Sequence, residues 1–142
     1  MPEARRRDLA EIARRHGVPI VEDDIMRLLR EEAPPPIATF APELTYYITS
    51  LSKTVAPGLR IGFVATPPGA TGRVSDAVRA TCWMAPPLTV EVGARWIETG
   101  AAERLLADRR RESASRRARM LERLGPRPRG CPPGRREMWG RR

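Results

Sequence analysis

The sequence predicts an α/β fold: a piece of an open sheet with flanking helices, continued by helices alone. Three observations predict it. Helical and extended patterns alternate from residue 3 to residue 82, a short apolar strand runs into the acids Glu22-Asp23-Asp24, and only helical periodicity follows Pro86-Pro87. Carboxylates at the carboxyl end of a buried strand lie where open α/β sheets bind ligands. At 142 residues the chain can bury one modest core.

In residues 3–16 the apolar positions Leu9, Ile12 and Ala13 recur at helical spacing with arginines on the other face, and Gly17 stops the helix. A strand is predicted over Val18–Val21, then a short helix around Ile25 to Glu32 that Pro34-Pro35-Pro36 breaks. Leu44–Thr49 and Leu59–Ala65, rich in Tyr, Ile, Val and Phe, read as two further strands joined by a polar loop. Pro67-Pro68-Gly69 is a turn, and residues 70–82 form a helix. Beyond Trp83-Met84-Ala85-Pro86-Pro87, Leu88–Thr99 and Ala101–Leu124 both read as helices, the second lined with arginine on one face. Trp83, Met84 and Trp96 suit packing better than a ligand-stacking box. From Gly125 the composition turns to Pro, Gly and Arg without periodicity, so a disordered tail is expected over 125–142. A premature end or reading-frame change near Gly125 would explain it.

The net charge of +9 invites a nucleic-acid reading, and Arg109-Arg110-Arg111 with Arg116-Arg117 would form a basic patch on one helix. These arginines are interleaved with Glu and Asp at helical spacing, which suits a solvated face with local ion pairs. No helix-turn-helix, zinc or RNA-recognition signature accompanies them. Cys82, Cys131 and the single His16 have no metal or redox spacing, and neither a signal peptide nor a membrane span is visible, so a cytoplasmic location is expected.

Lys53 carries the most chemical information. It is the only lysine among 26 basic residues, and it sits in Ser50-Leu51-Ser52-Lys53-Thr54-Val55-Ala56-Pro57-Gly58-Leu59-Arg60. Arginine stays protonated, whereas a lysine amine can lose its proton and condense with a carbonyl. Hydroxyls one and three residues before it and an arginine seven residues after it are donors suited to a phosphate. The alternatives are a chance surface lysine in an arginine-rich chain, or a ligand-free polar loop between two strands.

This segment, running on through Ile61-Gly62-Phe63, resembles the cofactor-lysine segment of pyridoxal-phosphate-dependent aminotransferases of class I/II, the fold type I family. The resemblance implies the partial large domain of that fold, a mixed and mostly parallel sheet with helices followed by long helices. It implies that Lys53 is the Schiff-base lysine and that Ser50, Ser52 and Arg60 hold the phosphate of pyridoxal 5'-phosphate. Burial beside Arg60 and a cofactor would favour the neutral or iminium lysine. In Val18-Pro19-Ile20-Val21-Glu22-Asp23-Asp24, Asp23 matches the family's aspartate that pairs with the pyridine nitrogen, and Asp24 reads as a helix N-cap. Where the family carries a tyrosine three residues after that aspartate, this chain has Met26, a weak acceptor that cannot donate. Tyr46 and Tyr47 lie in the next strand and are not obvious substitutes.

The resemblance divides the chain into a partial cofactor domain over 1–100, a connecting helix over 101–124 toward a small domain that is absent, and the 125–142 tail. Met1-Pro2-Glu3-Ala4-Arg5-Arg6-Arg7 resembles the helix that follows the family's Asn-Pro-Thr-Gly segment. The resemblance implies a fragment whose parent, a homodimer, moves an amino group between an amino acid or amine and a 2-oxo acid. An alternative job is the effector domain of a MocR-type member of the GntR regulators, with DNA bound only through a separate upstream domain. A third alternative is an inactive remnant: the isolated chain is expected to bind the cofactor weakly and to turn over no amino acid.

Overall fold

The computed structural model describes residues 1–30 and 32–125. The predicted tail and Cys131 lie outside the described residues, apart from Gly125. The elements run α1 (Glu3–His16), β1 (Ile20–Asp23), β2 (Thr45–Ser50), β3 (Gly62–Ala65), α2 (Thr71–Cys82), α3 (Pro87–Glu98) and α4 (Ala101–Leu124). Single 3-10 turns stand at Arg27–Leu29, Ile37–Thr39 and Pro57–Leu59. The sheet is mixed, in the order β1-β2-β3: β1 and β2 are parallel, β2 and β3 antiparallel.

Three boundaries differ from the sequence expectation, each for a local reason. The strand predicted from Val18 begins at Ile20, because Gly17 in the left-handed conformation closes α1 with bonds from Gly17 N to Arg14 O and from Val18 N to Ala13 O. That pair is a Schellman closure, which occupies Val18, and Pro19 has no N–H for a ladder. The helix predicted over Ile25 to Glu32 is one 3-10 turn at Arg27–Leu29; the Arg27 guanidinium folds onto the Pro34 and Ala33 carbonyls, and the prolines that follow cannot extend a helix. The third strand begins at Gly62 instead of Leu59, because Pro57–Leu59 turn and Arg60 is left-handed (φ 54°, ψ 36°).

Side chains alternate across the sheet, so the register sorts the residues into two faces. Ile20, Glu22, Thr45, Tyr47, Thr49 and Phe63 share one; Val21, Asp23, Tyr46, Ile48, Ser50 and Val64 share the other. The first face receives α1. Glu22 is buried there, its carboxylate 2.8 Å from Arg6 Nη1 of α1 and accepting the Ile37 and Ala38 amides at 3.0 Å each. One carboxylate thus ties α1, β1 and the Ile37–Thr39 turn together, and Ala10, Ile37 and Ala41 form a small core beside it. Val21, on the other face, is 68% exposed. The apolar strand therefore buries its acid and exposes its valine, the reverse of a strand buried on both sides.

A second core gathers Leu51, Val55, Leu59 and Ile61 from the β2–β3 connection with Ala102 of α4, and Val92, Trp96 and Leu105 pack against it. Gly93 permits this approach of α3: a Cβ there would stand 2.8 Å from Ile61 Cδ1 and 3.3 Å from Leu51 Cδ1. Trp96 packs as expected, but Trp83 is 69% exposed and Met84 is also exposed, so neither belongs to a core among the described residues. No residue of α2 or β3 is buried.

Candidate functional site

The connection between β2 and β3 is amphipathic, and its hydrogen bonds explain its shape. Ser50 and Gly62 form the last pair of the ladder, and Leu51 N donates to Ile61 O across the neck at 3.2 Å. Inside the loop, Val55 N and Ala56 N both reach Leu51 O at 2.9 Å, and the buried Thr54 hydroxyl donates to Ser50 O at 3.0 Å. The apolar residues turn into the second core, which fixes the polar residues outward. Ser50 and Ser52 are half-buried, while Lys53 and Arg60 are exposed.

None of the Ser50, Ser52, Lys53 and Arg60 side chains has a hydrogen-bond or ion-pair partner among the described residues. Most arginines elsewhere do: Arg6, Arg7, Arg14, Arg27, Arg95, Arg110, Arg111 and Arg116 all reach protein acceptors. The loop therefore presents two hydroxyls, an amine and a guanidinium that fold stability does not employ. Arg60 also holds a left-handed backbone, which costs a non-glycine residue roughly 1–2 kcal/mol. The expected burial of Lys53 beside Arg60 is not found: no described residue covers either side chain.

Asp23 lies at the carboxyl end of β1, on the same sheet face as Ser50. Its Oδ1 accepts the Ile25 amide at 3.2 Å, the capping-type bond expected of Asp24. Asp24 instead accepts from Tyr47 Oη at 3.4 Å and faces Arg27 Nε at 3.9 Å. Burial, reinforced by the Glu22 charge, raises the Asp24 carboxyl above its ordinary value, against the opposing pull of Arg27, Arg6 and the Tyr47 hydroxyl. The Tyr47 hydroxyl is raised as well, by burial first and then by the Asp24 charge. Tyr47 is thus committed to Asp24 on the face opposite Asp23, and Tyr46 is the tyrosine on Asp23's side. Met26 is exposed just beyond β1.

A feature the sequence reading missed is a cleft of about 500 Å³ that brings Lys53 and Leu29 against Arg109, Ser113, Arg116 and Met120 of α4. The spacing of those α4 residues was the available signal, since positions 109, 113, 116 and 120 fall on one helical stripe. Among the described residues no three His, Cys, Asp or Glu side chains could hold a metal, and no helix is long and apolar enough to cross a membrane.

No family model matches the chain. In sequence it is similar to YdeF of Bacillus subtilis, an uncharacterized HTH-type transcriptional regulator, at 35% identity over 118 residues, 83% of this chain and 25% of that protein. The chain thus spans about a quarter of the length of this curated relative. In structure it is similar to a multiple substrate aminotransferase from Thermococcus profundus, with a TM-score of 0.79 and 28% identity over 87% of this chain and 32% of that one. Kynurenine aminotransferase of Pyrococcus horikoshii gives a TM-score of 0.78 and 29% identity over 92% and 33%. With an aminotransferase fold around a loop that carries the lysine, hydroxyls and arginine of the cofactor segment, the chain belongs to the class I/II, fold type I family of pyridoxal-phosphate-dependent aminotransferases, of whose length it spans a part.

Proposed function

We propose that this chain supplies the cofactor-lysine half of a pyridoxal-phosphate site, with Lys53 as the point of covalent attachment. The observation that carries the proposal is the β2–β3 loop, whose Ser50, Ser52, Lys53 and Arg60 side chains all stand without a protein partner among the described residues. The residue types fit the group. Ser50, Ser52 and Arg60 would hold the phosphate by charge-assisted hydrogen bonds. Asp23 retains a carboxylate oxygen beyond the one that accepts Ile25 N, and this would hold the pyridine-nitrogen proton. When bound, pyridoxal phosphate supplies an electron sink for negative charge at a substrate carbon. Lys53 would carry a proton to and from that carbon.

The parent activity most consistent with the fold is transfer of an amino group from an amino acid or amine to a 2-oxo acid, in a homodimer. A second reading is favoured by a specific observation: YdeF, at 35% identity, bears the name of an HTH-type regulator. In that reading the same domain senses an amine or the cofactor, and DNA is bound by a separate upstream domain. The full-length parent decides between them. Transaminase turnover on a panel of amino acids without DNA binding supports the enzyme, and amine-dependent binding to its own promoter without turnover supports the regulator. A parent that takes up no cofactor overturns both.

A further inference from the structure

We infer that the cleft between the Lys53 loop and α4 binds a small organic acid, with the Arg109 guanidinium taking its carboxylate. The inference is independent of the cofactor reading, because it concerns recognition of an anion by α4. The helix is docked beside the loop by Ala102 in the second core and by Arg110, whose Nε donates to Leu28 O at 2.8 Å. This turns Arg109, Ser113, Arg116 and Met120 toward Lys53.

The charges in the cleft are unequally employed. Glu112 accepts from Arg116 at 2.6 Å and faces Arg119 at 3.9 Å, so the Arg116 charge is already matched. Arg109 and Lys53 have no hydrogen-bond or ion-pair partner among the described residues. A guanidinium free to present its planar fork is the side chain best suited to a carboxylate. Leu29 and Met120 add apolar wall, and Ser113 a hydroxyl, in a volume within the range of small-molecule sites, about 300–1,000 Å³.

A nucleic-acid backbone fits less well. It requires a run of free cations, whereas Arg104, Arg110, Arg111, Arg116 and Arg119 of α4 are spent on protein acceptors. An apolar wall beside two free cations instead matches a carboxylate on a short hydrocarbon body.

The test is calorimetric titration of the 142-residue chain with hexanoate at low ionic strength and without pyridoxal phosphate, so that cofactor binding has no part in the result. Saturable one-site binding is expected. Arg109→Gln should weaken it about tenfold or more, as removal of a charge-assisted hydrogen bond does, and Arg109→Lys by less. Arg123→Gln, on the same helix but outside the cleft, should leave it unchanged. Equal weakening by Arg109→Gln and Arg123→Gln, inorganic phosphate binding more tightly than hexanoate, or no saturable binding would overturn the inference. Circular dichroism of each variant verifies that the helices persist.

Discussion

Replacing Glu22 by leucine should unfold much of this chain, although the change puts an apolar residue into a strand. The Glu22 and Arg6 side chains are only 8% and 10% exposed, and their ion pair spans 2.8 Å. Removing one partner of a buried pair costs about 3–5 kcal/mol, because the remaining charge is stranded. The Ile37 and Ala38 amides lose their acceptor at the same time. Each orphaned buried donor costs about 1–3 kcal/mol, though these losses overlap with the first. Against a domain stability of about 5–15 kcal/mol, Glu22→Leu removes a large share. Arg6→Met combined with Glu22→Leu should recover the stranded-charge part and remain roughly 2 kcal/mol below the parent chain, the residue of the two amides. Urea unfolding followed by far-ultraviolet circular dichroism measures all three. A single variant within about 1 kcal/mol of the parent chain, or a double variant no better than the single, would refute the view that this carboxylate holds α1, β1 and the Ile37–Thr39 turn together.

Other expectations follow from the same geometry. Arg60→Gly relieves a left-handed strain of about 1–2 kcal/mol and adds about 0.5–1 kcal/mol of unfolded-state freedom, so it should stabilise the chain by roughly 0.5–1 kcal/mol while weakening pyridoxal phosphate binding, read by urea midpoint and cofactor titration. Gly93→Val should lower stability by about 1–3 kcal/mol, because its Cβ would press on buried Ile61 and Leu51; an unchanged melting temperature would mean that α3 does not sit on that core. Asp24→Asn should stabilise the chain at neutral pH. A carboxyl raised in the folded state opposes folding above its folded pKa and ceases to do so below the unfolded value of about 3.9, so the advantage should vanish as pH falls through that window. Unfolding midpoints of the two proteins that run parallel from pH 7 to pH 3 would contradict this.

The helices were legible because their signals are local: apolar periodicity with Gly17 for α1, and the stop at Pro86-Pro87 before α3. The residues of the lysine loop were legible for the opposite reason, that stability does not require a lone lysine flanked by hydroxyls and an arginine. The strand starts were less so. Val18 is taken by the closure of α1, and Arg60 is left-handed although nothing in its residue type demands it. The exchange of roles between Asp23 and Asp24 depends on Tyr47 reaching across from β2, a contact fixed by register and not by neighbouring sequence. The cleft with α4 was invisible for the same reason. It joins Lys53 to Arg109 and Arg116, and such long-range contacts depend on how α4 docks. The inward acid and outward valine of β1 reverse the simple apolar pattern because Arg6 and two amides compensate Glu22.

The attachment of pyridoxal phosphate to Lys53 is tested most directly by adding the cofactor, reducing with borohydride and mapping the label by mass spectrometry. Only Lys53 and the terminal amine of Met1 can take it. Saturable labelling of Lys53, weaker with pyridoxal, which lacks the phosphate held by Ser50, Ser52 and Arg60, and absent in Lys53→Ala, is the expected result. Equal labelling by pyridoxal and pyridoxal phosphate, or label confined to Met1, would contradict a cofactor site on this loop.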